Sequence, residues 1–338
     1  NKGISVSEIA KSLSKKLSVP EEKTIDFILD LEKNIYKNKK VLENNLINDY
    51  RDIKKPKEYG YIKYYKINNL IFKVAFSNEF ELSLVHPKFA HLENEKNNYH
   101  NKFEVFTNNG FLFLFVNNKF INAWGKKDIH FFQGKFSMQL IQQIHNKEEH
   151  EWLGVFHASA VSNSKKSVLF LGDSGNGKST SLALLQANGY NCLADDFVPI
   201  AAKNNHVYSF PAAISIKKNS LQTLLPLYPE LEKSAEFHFK RLNKVVRYLK
   251  PNTNNYQKNL PCKDLVFIKY EVASNFNFSK ISKITAFKQL VPDSWLSPEK
   301  QNAKKFLDWF ENLNCYQITY SNNSAMIETV HKIFDNEL

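Results

Sequence analysis

Gly172-Asp-Ser-Gly-Asn-Gly177-Lys178-Ser179 stands between an apolar run, Ser167 to Leu171, and a run with helical spacing, Thr180 to Asn188. It satisfies the pattern GxxxxGK[ST] in the strand-then-helix setting that gives the pattern meaning. Glycines at 172, 175 and 177 let the backbone curl until successive amide groups converge, and the following helix adds its positive end. Gly172, Asp173, Ser174, Gly175, Asn176, Gly177, Lys178, Ser179 and Thr180 are therefore read as one cradle for phosphate oxygens. In it Lys178 reaches the β and γ phosphates and the Ser179 hydroxyl meets Mg²⁺, so ATP and Mg²⁺ are the expected ligands.

Downstream, Gly189 suits a helix C-terminus, and Tyr190 to Ala194 is predicted to be a short strand. Asp195-Asp196 follows at its end, where ligands gather in open α/β sheets. One carboxylate can hold the metal, with Ser179, and the other can accept a proton. Upstream, His157 lies on the apolar segment Gly154 to Val161 just before the loop's strand, and an imidazole near two carboxylates would settle their protonation.

Further toward the N-terminus, Met138, Ile141 and Ile144 mark a helix past Ser137. Before it come aromatic and β-branched runs at Tyr61 to Ile67, Leu70 to Phe76, Phe103 to Thr107, Phe111 to Val116 and Phe120 to Trp124. Asn68-Asn69, Asn108-Asn109-Gly110 and Asn117-Asn118 punctuate them, and Asn and Gly tolerate the positive φ of tight hairpins. A mainly antiparallel sheet is expected. Lys37 to Lys57 is polar and basic and reads as a linker. At the start, Ser5 or Ser7 can cap a helix carrying Ile9, Leu13 and Leu17, and Pro20 can open a second carrying Ile25, Ile28 and Leu29. Asn rather than Met in first place is expected of a chain that begins inside a longer one.

The 338 residues allow two or three domains, and a 43% hydrophobic, 24% charged composition is that of a globular chain. No apolar stretch approaches the roughly 18 residues of a membrane helix, and no signal-peptide layout opens the chain. Cys192, Cys262 and Cys315 are widely spaced, which suggests neither a disulfide framework nor a zinc site and fits a reducing cytoplasm. The net charge of +12 is spread along the whole length rather than gathered on one arm, so it argues against nucleic acid as the partner.

His157-Ala-Ser-Ala-Val, Leu171-Gly-Asp-Ser-Gly-Asn-Gly-Lys-Ser179 and Leu193-Ala-Asp-Asp196, in this order and spacing, resemble the core of HPr kinase/phosphorylase, a serine kinase related in fold to PEP carboxykinase. The resemblance implies an α/β fold of the HPr kinase/PEP carboxykinase type at 151–338, preceded by a mainly antiparallel β-rich domain at 46–150 and a helical hairpin at 1–45. It implies that Asp196 is the general base, that Asp195 supports the metal and that His157 keeps the carboxylate ionised. The family's Gly-rich, Arg- and Glu-containing signature has no clear counterpart here, which puts phosphorylase activity and HPr as substrate in doubt. Val207 to Lys217 and Val246 to Pro251 stand there instead and look like divergent relatives found beside peptide-modifying enzymes. Arg247 is the candidate transition-state cation, with Lys217 second.

Ser5-Val-Ser-Glu-Ile-Ala-Lys-Ser-Leu followed by Leu17-Ser-Val-Pro-Glu-Glu is similar to the helices of PqqD-like domains that grip leader peptides. The implied activity is transfer of the ATP γ-phosphoryl group to a Ser or Thr hydroxyl of a peptide or protein. A small-molecule hydroxyl, a nucleotide-gated binding module and a plain NTPase stand as alternatives. The related kinases form rings, so a homo-oligomer is implied by resemblance only.

Overall fold

A computed structural model describes residues 4–31, 53–96, 98–239, 244–252 and 258–338. Most of the expected linker, Lys37 to Lys57, lies outside the described residues. The chain divides into two compact units, Asn1–Lys55 and Pro56–Leu338.

In the first unit, α1 (Val6–Leu17) starts on a capping box. The Ser5 hydroxyl accepts from the Glu8 amide at 3.2 Å while the Glu8 carboxylate accepts from the Ser5 amide at 2.9 Å. Ser18 ends the helix in the left-handed region, and α2 (Glu21–Leu31) follows. Ala10, Thr24 and Phe27 are buried, whereas Leu29, expected on the packed face, is exposed.

The second unit opens with a six-stranded sheet built from β1 (Tyr61–Ile67), β2 (Leu70–Phe76), β3 (Glu93–Asn94), β4 (Asn101–Asn108), β5 (Phe111–Val116) and β6 (Lys119–Gly125), in the order β3-β1-β2-β4-β5-β6. Asn68, Asn109, Gly110, Asn117 and Asn118, at its hairpin turns, all carry positive φ. The pairing is antiparallel except for β2 against β4, because α3 (Glu79–Phe89) crosses between them. No sequence expectation included this helix. Across the sheet lies α4 (Ile129–His145), one of whose buried faces carries Phe132, Phe136, Leu140 and Ile144. It begins eight residues before the expected start at Ser137, because the apolar stripe already runs through Phe132 and Phe136.

The larger sheet contains β7 (Trp152–Phe156), β8 (Ser159–Ser162), β9 (Ser167–Leu171), then α5 (Lys178–Ala187), β10 (Asn191–Asp195), β11 (Val198–Ala201) and β12 (His206–Tyr208). A separate three-stranded sheet joins β13 (Ile214–Lys217), β14 (Phe237–Phe239) and β15 (Lys244–Leu249), with the short α6 (Leu221–Leu224) after β13. The remaining elements are β16 (Asn259–Tyr270), β17 (Asn277–Lys280), α7 (Lys283–Leu290), β18 (Ser294–Leu296), α8 (Lys300–Glu311), β19 (Asn314–Tyr320) and α9 (Asn323–Asp335). The long β16 bridges two halves: its first residues pair with β12, and its later ones run parallel to both β9 and β19.

Direction matters more than order for the site. β8 is antiparallel to β9, and β10 is antiparallel to β8, so β10 points the same way as β9. The chain after Leu171 and the carboxylate of Asp195 thus emerge at one edge of the sheet. A core of Phe170, Leu182, Leu185, Val266, Ile318, Met326 and Val330 fixes α5 and α9 to the strands. At about 1.5–3 kcal/mol for each fully buried large apolar side chain, this packing holds the edge rigid.

The boundary expected at 150 falls inside the second unit, and the two sheets are joined across it. The Ala213 amide donates to the Lys88 carbonyl at 2.8 Å, Phe89 meets Phe210 edge-on at 5.9 Å, and His145 Nε2 donates to the Ser209 carbonyl at 2.8 Å.

Candidate nucleotide site

Between β9 and α5 the backbone takes the tight curl the glycines predict, with positive φ at Gly172, Gly175 and Gly177. At Gly172 the requirement is also steric. A Cβ there would lie 2.6 Å from the Ile268 carbonyl oxygen on β16. At Gly177 it would lie 3.1 Å from the Tyr320 hydroxyl. That hydroxyl shares a hydrogen bond of 2.9 Å with Ser181, so β19 fastens the first turn of α5. The Tyr270 amide donates to the Asn176 carbonyl at 3.0 Å and secures the loop's other shoulder.

Lys178 begins α5 and turns its ammonium onto the Gly172 carbonyl and, at 3.3 Å, the Asp173 carbonyl. It is 6% exposed, and burial lowers its pKa, opposed by the charges of Asp196 and Asp195. Ser179, one residue on, donates to both oxygens of Asp195 at 3.0 and 2.9 Å. Asp195 also accepts from the Ser159 hydroxyl at 2.5 Å and the Ser215 amide at 3.0 Å. Burial and the adjacent Asp196 charge raise its pKa, and the three donors oppose that rise.

Asp196 differs from its neighbour. Its φ of 63° is in the left-handed region, uncommon outside glycine, which turns its side chain away from the β10 direction. The carboxylate stays partly exposed and lies 3.9 Å from the Lys88 ammonium. His157 Nδ1 is 3.4 Å from the Asp196 backbone oxygen. His157, Lys178, Ser179, Asp196 and Lys217 all line one cleft, together with Ser174, Gly175, Gly177 and Thr180.

The structure therefore brings together Asp196, His157, Lys178, Ser179 and the loop residues around them, with Asp195 directly behind Ser179. Arg247 is not among the residues lining that cleft. Its guanidinium donates to the carbonyls of Leu231, Glu232 and Ser234, the last two at 2.6 and 2.9 Å, and pairs with Glu236 at 3.1 Å. It ties down the turn at 229–234, because β15 presents it to that side of its sheet. Lys217, the second choice, is in the cleft, with its ammonium 3.0 Å from the Ser174 hydroxyl.

Ser159 and Ser215 were not singled out from the sequence, although Ser159 stands within His157-Ala-Ser-Ala-Val and Ser215 within Val207 to Lys217. Both act through strand register. Ser159 lies opposite Asp195 in the β8–β10 ladder, and Ser215 on β13 aims its amide at the same carboxylate.

The donors present suit a hard cation: a serine hydroxyl and carboxylates, with room for phosphate oxygens. Among the described residues no group of three or more His, Cys, Asp or Glu converges as a self-sufficient metal cage.

No protein-family model matches the chain, and no curated protein matches it. Among solved structures it is similar to the HPr(Ser) kinase/phosphatase from Coxiella burnetii, at 12% identity and a TM-score of 0.25, over 54% of this chain and 97% of that one. The likeness is distant, and the chemistry available to this chain follows from its own residues.

Proposed function

We propose that the chain is an ATP-dependent kinase that transfers the γ-phosphoryl group to a hydroxyl, a Ser side chain of a peptide or protein. One observation carries the reading: a GxxxxGKS loop and two carboxylates of opposite character meet at a single sheet edge, one buried behind Ser179 and one open to the cleft.

The loop amides and Lys178 hold the triphosphate, and Lys217 adds positive charge on the Ser174 side. Ser179 with Asp195 would hold Mg²⁺, which would supply charge neutralisation for the phosphates. Asp196, in the cleft, takes the proton of the acceptor hydroxyl. That oxygen forms a bond to the γ phosphorus while the bridging P–O bond breaks, ADP leaves with the electron pair, and Asp196 later returns its proton to water. His157, against the Asp196 backbone, keeps the turn in place. Such chemistry asks the protein mainly for positioning and charge.

The acceptor class rests on the helical pair at the N-terminus, which suits a leader-gripping element, and the three free thiols suit a reducing cytoplasm. No helix among the described residues is long and apolar enough to cross a membrane. The test is incubation with γ-labelled ATP and Mg²⁺, following slow phosphate release to water and mass gain of one phosphate on candidate peptides. The wild type should turn over, and Lys178→Ala, still folded, should not. Full turnover in that variant would remove the nucleotide site.

A further inference from the structure

α3 belongs to the first sheet's layer, contains Pro87 and belongs to no recognisable motif, yet it carries a cation within ion-pair distance of the open carboxylate of the cleft. Lys88 reaches Asp196 at 3.9 Å, with side chains 31% and 26% exposed. Its backbone is independently anchored to the other layer, since its carbonyl accepts from the Ala213 amide at 2.8 Å. On either side of it Pro87 and Phe89 are buried, with Phe89 against Phe210, and Phe210 in turn packs on Phe197, the residue after Asp196, at 4.9 Å. Lys88 is thus held by backbone and by its neighbours, and its ammonium is aimed by that packing.

Electrostatics give the position a purpose. Asp195 and Asp196 are adjacent acids, and the proposed substrate brings a further polyanion. The charges of Lys178 and Lys217 lie on the phosphate-loop side, through the Gly172 and Ser174 contacts. A cation on the far side offsets the repulsion that Asp195 and the phosphates exert on the Asp196 carboxylate. We propose that Lys88 is a positioning residue for Asp196, supplied by the first sheet's layer, which holds that carboxylate on the acceptor side of the cleft. The proposal rests on the kinase reading. It makes the layer before residue 150 part of the reaction centre rather than an appendage.

The experiment compares wild type, Lys88→Met and Lys88→Arg in the full chain. Single-turnover phosphate release from γ-labelled ATP reports the rate, and a fluorescent ATP analogue with Mg²⁺ reports binding. Substitution leaves the Lys88 carbonyl and its bond to Ala213 in place, so the fold survives. Lys88→Met should lower the rate about tenfold, a fraction of the hundredfold or more carried by the base itself, while nucleotide affinity changes less than about twofold. Lys88→Arg should recover most of the rate. An unchanged rate in Lys88→Met, a parallel loss of nucleotide affinity, or an arginine variant as slow as the methionine one each overturns the assignment. A wild type that turns over no ATP removes the kinase reading, and this inference with it, whereas a fast Lys88→Met beside an active wild type removes the inference alone.

Discussion

Asp195 accepts hydrogen bonds from Ser159, Ser179 and the Ser215 amide and is 2% exposed, while Asp196 is turned into the cleft by a left-handed backbone. Replacing either by Asn should therefore fail differently. Asn at 195 offers one carbonyl oxygen where three donors converge and turns its NH₂ toward at least one of them, so Asp195→Asn should lose about 1.5–3 kcal/mol of stability. It should also raise the Mg²⁺ concentration needed for turnover. Asp196→Asn should melt close to wild type and bind nucleotide, yet transfer phosphate at least roughly a hundredfold more slowly. Denaturant melts beside single-turnover assays separate the two. Matching losses in both variants would mean that Asp195 is not the metal's carboxylate and Asp196 is not the base. The adjacency of the two acids was legible in the sequence, since both the loop motif and the strand-end position are local features. Their division of labour was not, because it depends on β8 register and on one φ angle. Arg247 shows the same limit from the other side: a cation in the right stretch, whose direction only the turn at 229–234 decides.

At the scale of elements, the strand, loop and helix from Ser167 to Ala187 could be read because their signals are contiguous. α3 could not, since Pro87 interrupts the pattern and its buried residues, Glu81, Val85, Pro87 and Phe89, lack a clean apolar stripe. A signal did exist: Asn78-Glu-Phe-Glu81 forms a capping box, with Asn78 accepting from the Glu81 amide at 3.1 Å. Missing that helix also hid the parallel β2–β4 pair, which needs a crossover. The phosphate loop itself makes a sharp prediction at this scale. Gly172→Ala combines a φ of 136° with a Cβ 2.6 Å from a β16 carbonyl, whereas Gly189→Ala has a φ of 89° but nothing within 4 Å. Gly189→Ala should cost about 1–2 kcal/mol for the left-handed conformation alone. Gly172→Ala should exceed that and abolish nucleotide binding by displacing the loop from β16. Thermal melts and nucleotide titrations decide it, and equal, mild losses in the two variants would show that the loop does not lean on β16.

Across the whole second unit, the seam between the two sheets carries a pH dependence. His145 ends α4, is 4% exposed, and lies edge-on to Tyr208 and Trp152 at 5.0 and 5.8 Å. Its Nε2–H donates to the Ser209 carbonyl, which leaves Nδ1 as an unprotonated, buried atom with no partner among the described residues. Charging the ring would place a proton on that atom without an acceptor. Burial, aided by Lys258 and Lys147 and opposed by the Ser209 bond, lowers its pKa from 6.5 to about 4. The sign follows from proton counting: between pH 6.5 and 4 the unfolded chain binds a proton that the folded chain refuses, so stability falls as pH falls. The slope approaches about 1.4 kcal/mol per pH unit, or about 3 kcal/mol over the window, and levels off below it. His91, also lowered to about 4 by burial and Lys250, adds a second contribution of the same sign. His145→Gln keeps a donor for the Ser209 carbonyl but removes the titration. It should be somewhat less stable than wild type at pH 7 and lose less on acidification, so the two curves converge toward pH 4.5, with the residual slope left to the other shifted groups, His91 and His86 adding to it and the raised Asp195 carboxyl opposing it. Urea melts at half-unit pH steps measure this, and parallel curves for wild type and His145→Gln would mean that the seam is not closed by a neutral imidazole.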